Sequence, residues 1–161
     1  HLVLSTLHTN DAPAAVTRML DLGLPSYLIS ATVLGVMAQR LVRVLCPSCK
    51  KSTPATAEDE AMWDRLVAPW KANRPSQFHQ PVGCLDCRMT GYRGRVGIYE
   101  ILMLSPDMKQ AISDNADVAK IRDLAYREGM KPLRISGAMK VAAGVTTLAE
   151  VFKVAPPSER A

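Results

Sequence analysis

Leu45-Cys46-Pro47-Ser48-Cys49-Lys50 and Gly83-Cys84-Leu85-Asp86-Cys87 hold all four cysteines of this 161-residue chain. They form two Cys-x-x-Cys pairs at either end of a long intervening segment. Each pair can turn two thiolates toward one point, and two such knuckles make a tetrahedral sulfur site of the kind that suits Zn²⁺. Pro47 stiffens the first knuckle, and Gly83 permits close approach at the second. Two disulfides, or buried thiols without a metal, are the competing readings. No signal peptide is visible, and a chain of this size needs no covalent staples, so the pattern favours a metal over a secreted disulfide framework. Four thiolates close the coordination shell. The expected metal, bound by Cys46, Cys49, Cys84 and Cys87, therefore holds shape and does not catalyse.

The composition around these knuckles is that of a globular protein, 48% hydrophobic and 22% charged. The length allows one ordinary domain or two small ones. A net charge of +5 permits an anionic partner, but the basic residues are scattered. Residues 22–39 are an uncharged run that raises the question of a membrane span. Pro25, Ser26, Ser30, Thr32 and Gln39 interrupt it and Arg40 follows at once, so a buried core helix is the better expectation. The chain begins without Met inside an apolar run, which reads as a fragment of a longer protein.

Upstream of the first knuckle, Leu2-Val3-Leu4 has the pattern of a strand buried on both faces. It turns polar at Ser5, Thr6, His8, Thr9 and Asn10. Ligands of open α/β sheets sit beyond the carboxyl ends of such strands, so this cluster is a candidate site. A strand end followed by capping residues is the plainer alternative: Asn10 or Asp11 can cap a helix with Pro13 in its first turn. That helix should carry Val16, Met19 and Leu20 on one face and end at Gly23 and Pro25. A second helix is expected over 26–45, from the helical spacing of Ile29, Val33, Val36, Met37, Leu41 and Val44.

Residues 46–95 read as an inserted metal module. Thr56 to Asp59 resembles a capping box, followed by an apolar stripe of Met62, Trp63, Leu66, Val67 and Trp70. The two tryptophans are expected in a small core, since base-stacking platforms usually lie on open β surfaces. Residues 73–81 read as a loop, with His79 exposed in it. Gly91-Tyr92-Arg93-Gly94-Arg95-Val96-Gly97 pairs backbone freedom with two arginines that can meet anions; a turn with solvated arginines explains it equally well. A strand should follow over 96–104. Ser105-Pro106, Asp117 and Thr147 then open three helices, with a further helix over 133–143. Thr147 to Glu150 has the form of a capping box. Residues 156–161 should be a disordered tail. The helices after the metal module carry their own caps and stripe, so weak coupling to it is expected.

In order along the chain, His1-Leu-Val-Leu-Ser-Thr-Leu-His8-Thr-Asn10, Ala38-Gln-Arg-Leu-Val-Arg43 running into Leu45-Cys-Pro-x-Cys-Lys50, Gly83-Cys-x-x-Cys, Thr90-Gly-Tyr-x-Gly-Arg-x-Gly-Ile-Tyr-Glu100 and the final Thr-Thr-Leu-x-Glu-Val resemble the secretion and pilus-assembly traffic ATPases, the GspE/PilB family. The resemblance implies an α/β fold: the C-terminal part of a RecA-like P-loop ATPase core over 1–45, the Cys₄ zinc module over 46–95, and a strand with a mostly helical C-terminal subdomain over 96–155. It implies a parent homo-hexamer on the cytoplasmic face of the bacterial inner membrane, which hydrolyses ATP with Mg²⁺ and works on a membrane platform protein to assemble a type II secretion pseudopilus or a type IV pilus. The family's P-loop, acidic box and Walker-B strand do not occur in these residues, so the chain alone is expected to be inactive. His1 and His8 align with the family's His box. His8, His1 and Thr6 are the candidate catalytic residues, with His8 as a γ-phosphate sensor or transition-state donor. Arg95 is the candidate nucleotide contact. The alternative is a zinc-ribbon module that binds nucleic acid or protein. It explains the cysteines and the charge but not the His-bearing strand end, and no specific nucleic acid is expected as partner.

Overall fold

A computed structural model describes residues 1–157 as a mixed α/β protein. Its elements run α1 (Ala12–Asp21), α2 (Ser26–Thr32), β1 (Gly35–Leu45), β2 (Lys51–Pro54), α3 (Ala57–Val67), β3 (Gln77–Gln80), β4 (Tyr92–Met103), α4 (Pro106–Ser113), α5 (Val118–Arg127), α6 (Leu133–Ala142) and α7 (Leu148–Val154). The expected tail at 156–161 lies, beyond residue 157, outside the described residues. The chain divides into two compact units, neither continuous in sequence: residues 1–38 with 99–131, and 39–98 with 132 onward.

In the first unit Asp11 caps α1 by accepting the Ala14 N–H, and Pro13 lies in the first turn, as the sequence suggests. Ser105 and Asp117 cap α4 and α5 in the same way. Ala15, Val16, Ile29, Met108, Ile112 and Ile121 are buried and form the apolar interior of these helices. Met19 and Leu20 are only half-buried. The Ser30 hydroxyl donates to the Lys109 carbonyl at 3.0 Å, joining α2 to α4.

Two expectations for this region fail. Leu2, Val3 and Leu4 form no strand and are 76%, 78% and 88% exposed. A strand exists only by pairing, and among the described residues the two sheets are two-stranded, β1 with β4 and β2 with β3. The expected helix over 26–45 is also wrong: α2 stops at Thr32 and β1 begins at Gly35. The β-branched Val36, Val42 and Val44 favour the extended form. The burial of β1 alternates accordingly, with Ala38 and Val42 inward and Met37, Gln39, Leu41 and Arg43 outward. Leu104 N–H bonds the Leu34 carbonyl near one end of the β1–β4 pair, and Cys46 N–H bonds the Gly91 carbonyl near the other. The start of one strand thus meets the end of its partner, so the two run antiparallel.

The second unit packs α3, α6 and α7 with the antiparallel β2–β3 pair. Thr56 and Asp59 make a complete capping box for α3. Trp63 is buried with its ring centroid 6.1 Å from that of Phe78, as expected of a core tryptophan. Trp70 is half-buried under the Arg134 guanidinium. Arg134 is itself buried and donates to the Leu66 and Ala68 carbonyls, satisfying the end of α3. The loop expected over 73–81 contains β3, which pairs antiparallel with β2 so that Lys51 faces Gln80 and Thr53 faces Phe78. Phe78 turns inward and supplies the hydrophobic contact that a solvated loop would lack.

Gly137 of α6 lies against Val151 of α7. A Cβ at Gly137 would fall 2.4 Å from Val151 Cγ1, and Val151 is fully buried. Gly137→Val is therefore expected to destabilise the protein by about 1–3 kcal/mol, read as a lower denaturant midpoint. Adding Val151→Ala should recover part of that loss.

Thr147 does accept the Glu150 N–H, but the expected reciprocal capping box does not form. Glu150 instead takes Arg43: Oε1 accepts from Nη2 at 2.6 Å, and Oε2 from the backbone N–H at 3.1 Å. The hydrogen bond from the Arg43 side chain holds the Glu150 carboxyl below its usual range against the opposing effect of burial. A depressed carboxyl contributes stability above its unfolded value of about 4.3 and loses it as pH falls through the lower folded value. Glu150→Gln should cost on the order of 1 kcal/mol at pH 7, because Arg43 is half-exposed and screened. The difference from wild type should shrink below about pH 4 in urea titrations.

Candidate metal centre

The two knuckles converge as their spacing suggests. The Sγ atoms of Cys46, Cys49, Cys84 and Cys87 all lie within 4.8 Å of one another. Cys46–Cys84 and Cys49–Cys87 are 3.9 Å apart, and Cys84–Cys87 are 3.8 Å apart. A regular ZnS₄ tetrahedron with bonds near 2.3 Å has edges of about 3.8 Å. A disulfide needs about 2.05 Å, and all four cysteines are free thiols. The donor set therefore fits a thiophilic ion of zinc's size, and the two-disulfide reading falls.

Backbone geometry builds this centre. The N–H of Gly83 points at Cys49 Sγ from 3.3 Å, and those of Cys84 and Gly91 point at Cys87 Sγ from 3.2 Å. Such donors stabilise thiolates, which are the metal-binding form. Gly83 has φ +104 and its Cβ would meet the Met89 carbonyl oxygen at 2.8 Å; Gly91 has φ +76 and its Cβ would meet Pro81 at 2.4 Å. A side chain at either position would spread the knuckle.

Cys84 and Cys87 influence one another's ionisation. Burial opposes ionisation of Cys87, but the backbone bonds from Cys84 and Gly91 and the Cys84 and Cys49 thiols outweigh it, and its pKa is lowered to about 6. The backbone bond of Cys87 favours the Cys84 thiolate, yet burial and the thiols of Cys87 and Cys46 together raise it to about 11. Four sulfurs this close cannot all ionise cheaply without a cation among them.

The centre is tied to the turn between α6 and α7. Leu45 N–H bonds the Val145 carbonyl at 2.8 Å, Lys50 Nζ the Gly144 carbonyl at 2.7 Å, and the Thr146 hydroxyl the Arg43 carbonyl at 2.7 Å. The weak coupling expected between the cysteines and the C-terminal helices is thus not what the second unit contains. His79, expected in solvent, is half-buried on β3, and its ring stands 2.7–3.1 Å from where a Gly144 Cβ would be.

The other site candidates are all exposed: His1, Thr6 and His8 in the irregular segment before α1, and Arg95 on β4. Sequence reasoning missed Glu100, which is 3% exposed and accepts the Ala12 N–H through Oε1 at 2.8 Å. The signal was available: an acidic residue at an inward position of an alternating strand.

The sequence profile of the family described as type II/IV secretion system protein matches residues 1–153. The type IV pilus assembly ATPase TfpB of Acinetobacter baylyi is 49% identical over 156 residues, which cover 97% of this chain and 26% of that protein. The type IV pilus assembly ATPase PilB of Myxococcus xanthus is 47% identical over 152 residues, covering 94% and 26%. The type II secretion system protein E of Pseudomonas aeruginosa is 44% identical over 154 residues, covering 96% and 30%. This chain thus spans between about a quarter and a third of the length of these relatives.

Protein purified without added metal should carry one zinc per chain by elemental analysis. Substoichiometric metal with four titratable thiols would contradict the assignment. Cys84→Ser should release the metal and speed amide exchange both in the knuckles and at the α6–α7 turn, because backbone bonds join the two.

Proposed function

The chain belongs to the type II/IV secretion system protein family, and on that premise we propose that it is the C-terminal portion of an ATPase that powers assembly of a type II secretion pseudopilus or a type IV pilus. The observation that carries the reading is the family match over residues 1–153 together with relatives named for those two machines. The parent works as a homo-hexamer at the cytoplasmic face of the inner membrane and acts on a membrane platform protein. No helix among the described residues is long and apolar enough to cross a membrane.

In this reading residues 1–45 belong to a RecA-like nucleotide-binding core, 46–95 carry a structural Zn²⁺, and 96–155 complete the fold with a strand and helices. Phosphoryl transfer needs a phosphate cradle, Mg²⁺ held by a hydroxyl and a carboxylate, and a positioned water. This chain contributes His8, His1 and Thr6 from the segment before α1, with Arg95 as a nucleotide contact. His8 acts as a donor to charge that develops on the γ-phosphate. A group of that kind contributes more to the transition state than to the ground state. The zinc supplies no step of this chemistry, because four thiolates leave it no open position.

His8→Ala in the full-length hexamer is expected to lower kcat by roughly 10- to 1000-fold with little change in nucleotide affinity. Steady-state kinetics beside nucleotide-binding measurements test it. A kcat within about twofold of wild type, a difference worth under ~0.5 kcal/mol, would reduce His8 to a local structural role. The chain by itself should show no Mg²⁺-dependent ATP turnover. Binding of DNA that weakens steeply with salt would instead favour the zinc-ribbon alternative.

A further inference from the structure

In the first unit, two carboxylates meet the start of helix α1. Ser105 and Asp117 cap α4 and α5 with one side chain each. The N-terminus of the ten-residue α1 meets two carboxylates. Asp11 Oδ1 accepts the Ala14 N–H at 2.8 Å, and Glu100 Oε1, from β4, accepts the Ala12 N–H at 2.8 Å. Glu100 is only 3% exposed, and burying a carboxylate is costly unless it is bonded. The free N–H groups and the dipole of a helix N-terminus offset that cost. The second oxygen of Asp11 takes Nη2 of Arg122, on α5, at 2.8 Å. The Thr9 hydroxyl donates to the Asp11 carbonyl at 3.2 Å. The junction between the His-bearing segment and α1 is therefore held from two distant parts of the chain.

We infer that Glu100, Asp11 and Arg122 are positioning residues for His8, and this rests on the role given to His8 above. They fix the first turn of α1 and, through Thr9 and Asn10, the segment that carries the imidazole. Residues 1–8 are exposed and without regular structure, and α1 is the first regular element that follows them. Three residues lie between His8 and Ala12, four Cα–Cα steps with a reach of at most about 14 Å. The side chains of Asp11 and Arg122 are 27% and 34% exposed, so their ion pair contributes little to global stability. Its loss should appear as misplacement of His8 and not as unfolding.

The test is made on the full-length hexamer. Arg122→Ala leaves the Asp11 cap in place and should lower kcat about 5- to 50-fold, with nucleotide affinity and melting temperature close to wild type. Arg122→Lys should recover activity to within about threefold, since it restores the charge. In the double variant His8→Ala/Arg122→Ala the rate should fall no further than in His8→Ala alone, because both changes remove one contribution. Multiplying effects, or an Arg122→Ala rate within about twofold of wild type, would overturn the inference. If His8→Ala itself keeps normal turnover, the role of His8 falls first. Amide exchange over residues 9–15 then judges the lock alone: acceleration in Arg122→Ala and Glu100→Gln upholds it, and unchanged exchange overturns it.

Discussion

Four sulfur atoms within 4.8 Å of one another bring residues 46–49 and 84–87 to one point, and the second unit is arranged around that meeting. The segment between them must leave and return to the same place. It does so as strand, helix and strand, β2–α3–β3, with Trp63, Leu66 and Phe78 buried inside the excursion. A loop of that length closes at a modest entropic cost that grows only slowly with length. A core this small stabilises little, and a bound metal adds its binding free energy to folding. The same knuckles grip the α6–α7 turn through Leu45, Lys50 and Arg43, so the constraint extends into residues far beyond the cysteines.

Local chemistry was readable from the sequence wherever the partners lie within one turn. The caps at Asp11, Thr56, Ser105, Asp117 and Thr147 all form, because each needs only an N–H two or three residues ahead. The cysteines were readable because four identical ligands in two tight pairs admit few arrangements. What failed depended on long-range partners. Over residues 26–45, positions 29, 33, 36, 37, 41 and 44 satisfy a helical period, while 36, 38, 42 and 44 satisfy a strand period. Pairing with β4, which begins only at Tyr92, decides between them. Glu150 was expected to turn back on its own helix, and the Arg43 guanidinium, 107 residues away, offers it a charged partner instead. Leu2-Val3-Leu4 has strand composition, yet composition supplies no neighbour to pair with.

The two sets of site residues differ in what they need. Each metal ligand finds its three companions within this chain, together with the backbone N–H groups that stabilise thiolates. His1, Thr6, His8 and Arg95 are exposed. In water an imidazole facing a phosphate gains little, because the surrounding dielectric screens it and the solvent must reorganise as charge moves. The proposed chemistry therefore requires a surface that closes over the segment before α1 and excludes water from it. Precise placement within this chain is half of that requirement, and the carboxylates at the start of α1 supply it. The other half, a phosphate cradle on a facing surface, is what a nucleotide-binding core would contribute.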